Sequence, residues 1–298
     1  MKINIWIITD GKRGHEKQSE ELVFSLKKKL KVNLVKINVR SFFLEFFNLI
    51  FFGKNSYKRD LRPNLIIGAG HKTHLAILLN KIKYGGKAIV IMKPSIPLFF
   101  FDLVIIPSHD KIFPKKNIFI TNGPITSIVN KHKHKEHKGL ILLGGPSKNF
   151  EWDDDKILSN IKFISSSFPN KKITIGSSRR TPKSLIEKLK KLNQRNLKFV
   201  DHNHTSDKWI KKEIDKSRYS WVTQDSISML YELIASGSLV TCIELKEKNN
   251  KFRNLFEELY LNKVINLSTK QENRLKTNPK KISEADKCSN YIIKNFID

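Results

Sequence analysis

The sequence predicts an α/β chain in which two parallel sheets follow one another. Three observations carry that expectation. Short apolar runs alternate with segments of helical period, polar glycine turns separate them, and a polar tract near the middle interrupts the series before it restarts. Alternation of this kind requires parallel strands joined by right-handed crossovers, because each crossover helix must pack back onto the sheet. The expected architecture is two Rossmann-like domains facing across a cleft.

"INIWIIT" reads as a buried strand, "DGKRG" as a glycine turn, and "HEKQSEELVFSLKKKL" as a helix with Leu22, Val23, Leu26 and Leu30 on one face. "NLVKINV" alternates as a second strand, and the aromatic segment "FFLEFFNLIFF" (42–52) is helix-like but interrupted by Glu45 and Asn48. "NLIIGAGHKTHLAILLNKI" repeats strand, turn and helix; "KAIVIMKPSIP", "FDLVIIPSHD" and "NIFITNGPIT" complete the first series. "NKHKHKEHKG" has no periodic apolar face and is read as a linker, with His132, His134 and His137 solvated rather than metal-bound. The grammar then restarts with "GLILLGGPSKNFEWDDDKILSNIKF", "KKITIGSSRRTPKSLIEKLKKL" and "SWVTQDSISMLYELIASG", followed by a late strand "KVINL" and a terminal helix "SEADKCSNYIIKNF". The expected boundaries are 1–130 for the first domain, 131–138 for the linker, 139–280 for the second domain and 281–298 for the C-terminal helix.

Composition narrows the class. A chain of 298 residues accommodates two domains of roughly 150 residues each. Cys242 and Cys288 form no CxxC pair, which points to a reducing compartment without structural zinc or disulfide. The start meets charge too early for a signal peptide, and no apolar run reaches the roughly 18 residues of a membrane span. A soluble cytoplasmic protein is expected, with a peripheral position on the inner face of the membrane as its variant. The net charge of +28 has three readings. It reflects over-use of Lys, Asn and Ile, as an AT-rich genome produces, or it serves an anionic membrane beside "FFLEFFNLIFF", or it binds nucleic acid. No nucleic-acid motif accompanies the charge, so no specific nucleic-acid partner is expected.

In open parallel sheets, ligands bind beyond the carboxyl ends of the strands. The first domain offers "TDGKRGHEKQ", where Gly11 and Gly14 permit a tight turn and Asp10, Lys12, Arg13 and His15 supply charge. Imidazole suits a general base near neutrality, so His15 is the candidate base and Asp10 its partner. The same edge is expected to carry Gly70 and His71 of "GAGHKTH", and Lys93 of "MKPSIP". In the second domain, Gly144, Gly145 and Ser147 follow a strand in a shape that admits a diphosphate. Ser178, Arg179 and Arg180 end another strand with hydroxyls and guanidiniums that match phosphate oxygens, ahead of a Thr181-Pro182 helix start. Asp225, Ser226 and Ser228 stand where a third strand turns into a helix. Ser226 is a candidate cap there, and Glu232 a candidate acceptor for sugar hydroxyls. The acids of "FEWDDD" suit the first turn of a helix without any metal.

Seven motifs occur in order across most of the chain: "DGKRGHEKQS", "GAGHKTH", "MKPS", "FDLVIIPSHD", "LLGGPSKNFEWD", "SSRRTP" and "VTQDSISMLYE". On these the chain resembles the elongated-mitochondria (mitochondrial fission) family, whose bacterial members are labelled either sugar-nucleotide epimerases or glycosyltransferases. A short-chain epimerase needs a YxxxK pair, and "YGGK", "YLNK" and "YIIK" all have the wrong spacing. The resemblance implies instead a GT-B-like, metal-independent glycosyltransferase with a nucleotide sugar as substrate and no cofactor. It places the donor on the second domain, at Gly144–Ser147, Ser178–Arg180 and Asp225–Glu232. A cell-envelope glycan or lipid-linked acceptor falls to the first domain, near Gly11–His15. A membrane-associated scaffold that keeps the fold without catalysis is the alternative.

Overall fold

The computed structural model describes residues 2–39, 62–110, 112–126, 134–269 and 283–297. The chain forms two compact units, Met1–Ser127 with Ser283–Asp298, and Ile128–Ile282.

The first unit is built on strands β1 (Lys2–Thr9), β2 (Lys31–Asn38), β3 (Leu65–Ala69), β4 (Lys87–Ile91), β5 (Leu103–Pro107) and β6 (Ile118–Thr121). They pair in the order β2-β1-β3-β4-β5-β6, all parallel. Period-two alternation divides β1 between two cores. Ile3, Ile5 and Ile7 enter one, with Leu22 and Leu26 of helix α1 (Arg13–Lys27). Trp6 and Ile8 enter the other, with Ala76 and Ile77 of helix α2 (His74–Tyr84). Both faces of the sheet are therefore covered, as parallel strands require.

The second unit contains β7 (Lys135–Leu142), β8 (Lys172–Gly176), β9 (Leu197–Val200), β10 (Ser217–Thr223), β11 (Leu239–Ile243) and β12 (Ile265–Leu267). Their order is β12-β11-β10-β7-β8-β9, again fully parallel. Counted from its own first strand, that is the 3-2-1-4-5-6 order of a Rossmann sheet. Helices α3 (Asp154–Ser167) and α4 (Lys183–Lys190) cover one face. Helices α5 (Asp207–Lys216), α6 (Ile227–Ser236) and α7 (Arg253–Leu261) cover the other. The two apolar sets of β7 alternate accordingly: Leu140 and Leu142 face α6, and Ile141 faces α3.

Two expected boundaries are corrected. Residues 135–138 of the expected linker are strand, because β7 begins at Lys135 and pairs with β10 there and with β8 from Lys138. The terminal helix α8 (Glu284–Phe296) is not a separate element. Its face of Ala285, Cys288 and Ile292 completes the first unit's core against Leu22 and Leu26. Polar contacts fix that packing: Ser25 bonds Asp286 and, at 2.9 Å, Ser289, and Lys29 reaches Ser289 at 2.6 Å. Cys242 and Cys288 are both buried and unbridged, and burial raises both thiols, so neither is a reactive thiolate. "FFLEFFNLIFF" and His132 lie outside the described residues; His137 is exposed on β7. Among the described residues no helix is long and apolar enough to cross a membrane.

Candidate functional site

In a doubly wound sheet the strand order reverses beside the first strand, and the loops leaving the two strands at that point diverge to open a crevice. Each unit has one such point, and both carry residues expected from the sequence.

In the first unit it lies between β1 and β3. The turn after β1 is ordered by its own side chains. Lys12 N donates to Asp10 Oδ1 at 3.1 Å, Gly11 N donates to Thr9 Oγ1 at 3.1 Å, and Thr9 Oγ1 bonds Glu16. Gly11 has φ +77°, which a glycine adopts without cost. His15 Nδ1 donates to Asp10 Oδ2 at 3.0 Å; the Asp10 side chain is fully buried and the His15 ring is 19% exposed. Burial tends to raise the Asp10 carboxyl, but the Lys12 amide and His15 outweigh it, and the group sits below its ordinary value. An ionised Asp10 holds the proton on Nδ1 and leaves His15 Nε2 as an acceptor. The ring rests on the turn after β3, since a Cβ on Gly70 would lie 2.2 Å from His15 Nδ1. Gly70 itself has φ +86°.

The other first-unit candidates sit farther from this pair in chemistry. His71 is exposed at the start of the 3₁₀ turn His71–Thr73, whose Thr73 is buried, and Lys93 is exposed after Met92, whose φ is +78°. Arg13 points to Glu20, with N···O of 3.5 Å. Gly14 lies in the first turn of α1 with open space where a Cβ would stand. The helix has Lys12 as its N-cap and no side-chain cap, so His15 orients toward Asp10 instead of capping.

In the second unit the reversal lies between β7 and β10. Here the loops after β7, β8 and β10 form one network. Gly144 N donates to Thr223 Oγ1 at 2.8 Å and Gly145 N to Asp225 Oδ2 at 3.0 Å. Ser178 Oγ and Thr181 Oγ1 both donate to the Gly144 carbonyl, at 2.9 and 2.6 Å. Arg180 pairs with Asp225 at 2.7 Å and also donates to the Gly145 carbonyl at 3.3 Å. The Asp225 side chain is fully buried, whereas that of Arg180 is 45% exposed. Burial is the largest influence on Asp225 and raises its pKa, despite the opposing Gly145 amide, Thr223 hydroxyl and Arg180.

This network revises several expected roles. The glycines admit protein atoms rather than an outside ligand: a Cβ would lie 2.1 Å from Asp225 Oδ2 at Gly144 and 2.0 Å from the Arg180 carbonyl oxygen at Gly145. Their amides already have partners and are not available to a diphosphate. Ser147 Oγ accepts from the amides of Asn149 and Phe150, ordering the turn before α3. Thr181 does not cap α4, whose N-cap is Pro182; its hydroxyl is held by the Gly144 carbonyl. Ser226 is the N-cap of α6 but makes no side-chain cap bond. Helix α6 therefore begins with amides that its own capping residue leaves unsatisfied. Ser228 is exposed in that first turn, Arg179 is exposed on the loop after β8, and Glu232 is buried in the second turn of α6.

The acids of "FEWDDD" are each accounted for: Glu151 pairs with Lys246 at 3.1 Å, Asp153 caps α3, Asp154 accepts from Trp152 Nε1 and Ser184, and Asp155 pairs with Lys188. Glu151 and Asp153 border a cavity of about 350 Å³ lined also by Lys156, Asn160 and Glu244.

The model of one family, described as Mitochondrial fission ELM1, matches residues 13–296. The chain belongs to that family. RP120 of Rickettsia prowazekii is 26% identical over 291 residues, covering 79% of this chain and 81% of that protein. Among solved structures, a Listeria monocytogenes protein assigned as a UDP-N-acetylglucosamine 2-epimerase aligns with TM-score 0.62 and 12% identity, covering 98% of this chain and 95% of that one. The UDP-GlcNAc 2-epimerase of Methanocaldococcus jannaschii gives 0.58 and 14%, with 99% and 100% covered. Phytolacca americana UGT2, complexed with UDP-2-fluoro-glucose and pterostilbene, gives 0.54 and 8%, with 99% and 90% covered. At these identities the likeness establishes the fold, which is GT-B: two Rossmann-like domains. The YxxxK argument concerns short-chain epimerases and does not bear on epimerases that share the GT-B fold.

For this member of the ELM1 family, sequence reasoning missed two hydroxyls. Thr223 and Thr181 tie the β7 loop to its neighbours. The signal for Thr223 is a polar residue closing an otherwise apolar strand; for Thr181 the adjacent proline pointed to capping instead.

Proposed function

We propose that this chain is a metal-independent glycosyltransferase that moves a sugar from a nucleotide-sugar donor to a cell-envelope glycan or lipid-linked acceptor. One observation carries the reading. The Asp225–Arg180–Gly145 network fixes the β7, β8 and β10 loops and consumes their own donors, which leaves the uncapped first turn of α6 and Arg179 as the anion-seeking groups. The sugar-nucleotide complexes among proteins of this fold support a diphosphate ligand for such groups.

In this reading the Asp10–His15 pair handles the acceptor proton. His15 Nε2 takes the hydroxyl proton while Asp10 holds Nδ1–H and stabilises the imidazolium. The acceptor oxygen forms a bond to the anomeric carbon, and the bond from that carbon to the β-phosphate oxygen breaks. The electron pair leaves on the nucleoside diphosphate, whose charge Arg179 and the α6 amides neutralise. Ser228 adds a hydroxyl at the same turn, and Glu232 is the acid assigned to donor hydroxyls. The location in this reading is cytoplasmic, at the inner face of the membrane.

Calorimetric titration with UDP, GDP, ADP and CMP tests it. At least one nucleotide binds, and Arg179→Ala weakens it by about tenfold, the scale of one charge-assisted contact. No binding by any of the four overturns the proposal. A bound UDP-sugar that is converted to its epimer without acceptor moves the chemistry from transfer to epimerisation.

A further inference from the structure

Two crossovers of the first sheet leave a surface that none of the groups above uses. Between β4 and β5, and again between β5 and β6, the described chain crosses the sheet on short 3₁₀ turns and extended loops, without an α-helix. Ile96, Leu98, Phe101 and Ile112 turn inward onto the core around Trp6 and Val104. Their neighbours turn outward: Phe99 is 76% exposed, Phe113 is 87% exposed, and Phe100 is exposed with its ring 4.3 Å from that of Phe99. Asn117 ties the crossovers together by donating to the carbonyls of Leu98 at 2.8 Å and Phe101 at 3.0 Å. The last turn of α2 joins the same patch, because Lys81 Nζ donates to the Phe100 carbonyl at 3.4 Å. Next to it Ile82 is 82% exposed.

The charge of this stretch is mainly positive. Residues 62–126 contain nine Lys and Arg against two acids. One of the acids, Asp102, is already paired with Lys81 at 2.8 Å and Lys87 at 3.7 Å. Lys83 is exposed in the last turn of α2, and Lys115 and Lys116 are exposed in the crossover that carries Phe113.

We propose that this face docks on an anionic lipid bilayer, with Phe99, Phe100, Phe113 and Ile82 entering the headgroup boundary and the lysines meeting lipid phosphates. The combination selects the partner. Exposed apolar side chains rimmed by lysine suit a surface that is apolar inside and anionic outside. A nucleic acid would use the lysines and aromatic faces but has no use for an aliphatic Ile82. The inference does not depend on nucleotide binding, and it concerns a stretch of sequence other than "FFLEFFNLIFF".

Co-sedimentation of the full chain with vesicles tests it. Wild type binds vesicles containing phosphatidylglycerol, binds pure phosphatidylcholine weakly, and loses affinity as salt rises. The double variant Phe99→Ser/Phe113→Ser loses at least about tenfold in vesicle affinity, in proportion to the apolar area withdrawn. Lys115→Ala/Lys116→Ala loses about tenfold or more, because each lysine near an anionic surface adds to the attraction. These positions are exposed, so both variants keep the parent melting temperature and any nucleotide affinity. Absence of wild-type binding to anionic vesicles overturns the proposal, as does unchanged binding by the Phe variant. Lysine-dependent retention of single-stranded RNA without vesicle binding assigns the face to nucleic acid and overturns it too.

Discussion

Replacing Gly70 by alanine should unfold the first unit more easily and detach His15 from Asp10. The added Cβ lies 2.2 Å from His15 Nδ1 and 2.4 Å from Cε1, against about 3.5 Å for an ordinary contact. The ring must therefore retreat by about an ångström, and Nδ1 is the atom held 3.0 Å from Asp10. Losing that charge-assisted bond costs about 1.5–3 kcal/mol. The backbone contributes separately, because Gly70 has φ +86° and ψ 152°, a region that costs a non-glycine residue about 1–3 kcal/mol. Together the change is about 2.5–6 kcal/mol, or about 10–20 °C in the melting temperature of a unit this size. The measurement is a thermal or urea melt of four proteins: parent, Gly70→Ala, His15→Ala and the double variant. At pH 7 the dyad contributes fully. Asp10 titrates below its ordinary 3.8, so its stabilisation is present above that value and disappears as pH falls through the lowered one. With His15 already removed, Gly70→Ala should retain only the backbone cost, about half of the total. Equal costs in the two backgrounds would refute the packing of His15 on Gly70.

Two further outcomes concern the second unit. Gly145→Ala places a Cβ 2.0 Å from the Arg180 carbonyl oxygen, which only a backbone shift relieves, so a loss of about 1–3 kcal/mol is expected; a melt indistinguishable from the parent would show that the β7 and β8 loops do not meet there. Asp225 is held above its ordinary 3.8 mainly by burial, so the folded state keeps that proton more tightly than the unfolded chain. Its ionisation then costs stability as pH rises from 3.8 through the raised value. The melting temperature of the parent minus that of Asp225→Asn should fall across that window and level off above it. A difference that grows with pH would contradict the burial argument.

Much of the fold was legible because its signals are local. The apolar run "INIWIIT", which forms β1, and the glycine turns after β1, β3 and β7 are properties of a few consecutive residues. The Asp10–His15 pair was legible for the same reason, since one turn holds both. The boundaries were less so. The Lys- and His-rich tract looked like a linker by composition, yet its last residues gain backbone partners from β8 and β10, and a strand inside a sheet does not need apolar side chains at its entry.

The succession of strands, turns and helices is written in local pattern, and with it the α/β class, the two sheets and the polar loops at their carboxyl edges. Which of those loops keep hydrogen-bonding capacity for a ligand depends on neighbours distant in the chain. Gly144 and Gly145 have the composition of a phosphate loop, but Thr223 and Asp225, some 80 residues away in the chain, take their amides. A buried donor must be paired, and its partner comes from whichever strand lies alongside. That neighbour is fixed by the order β10-β7-β8, which no local pattern encodes.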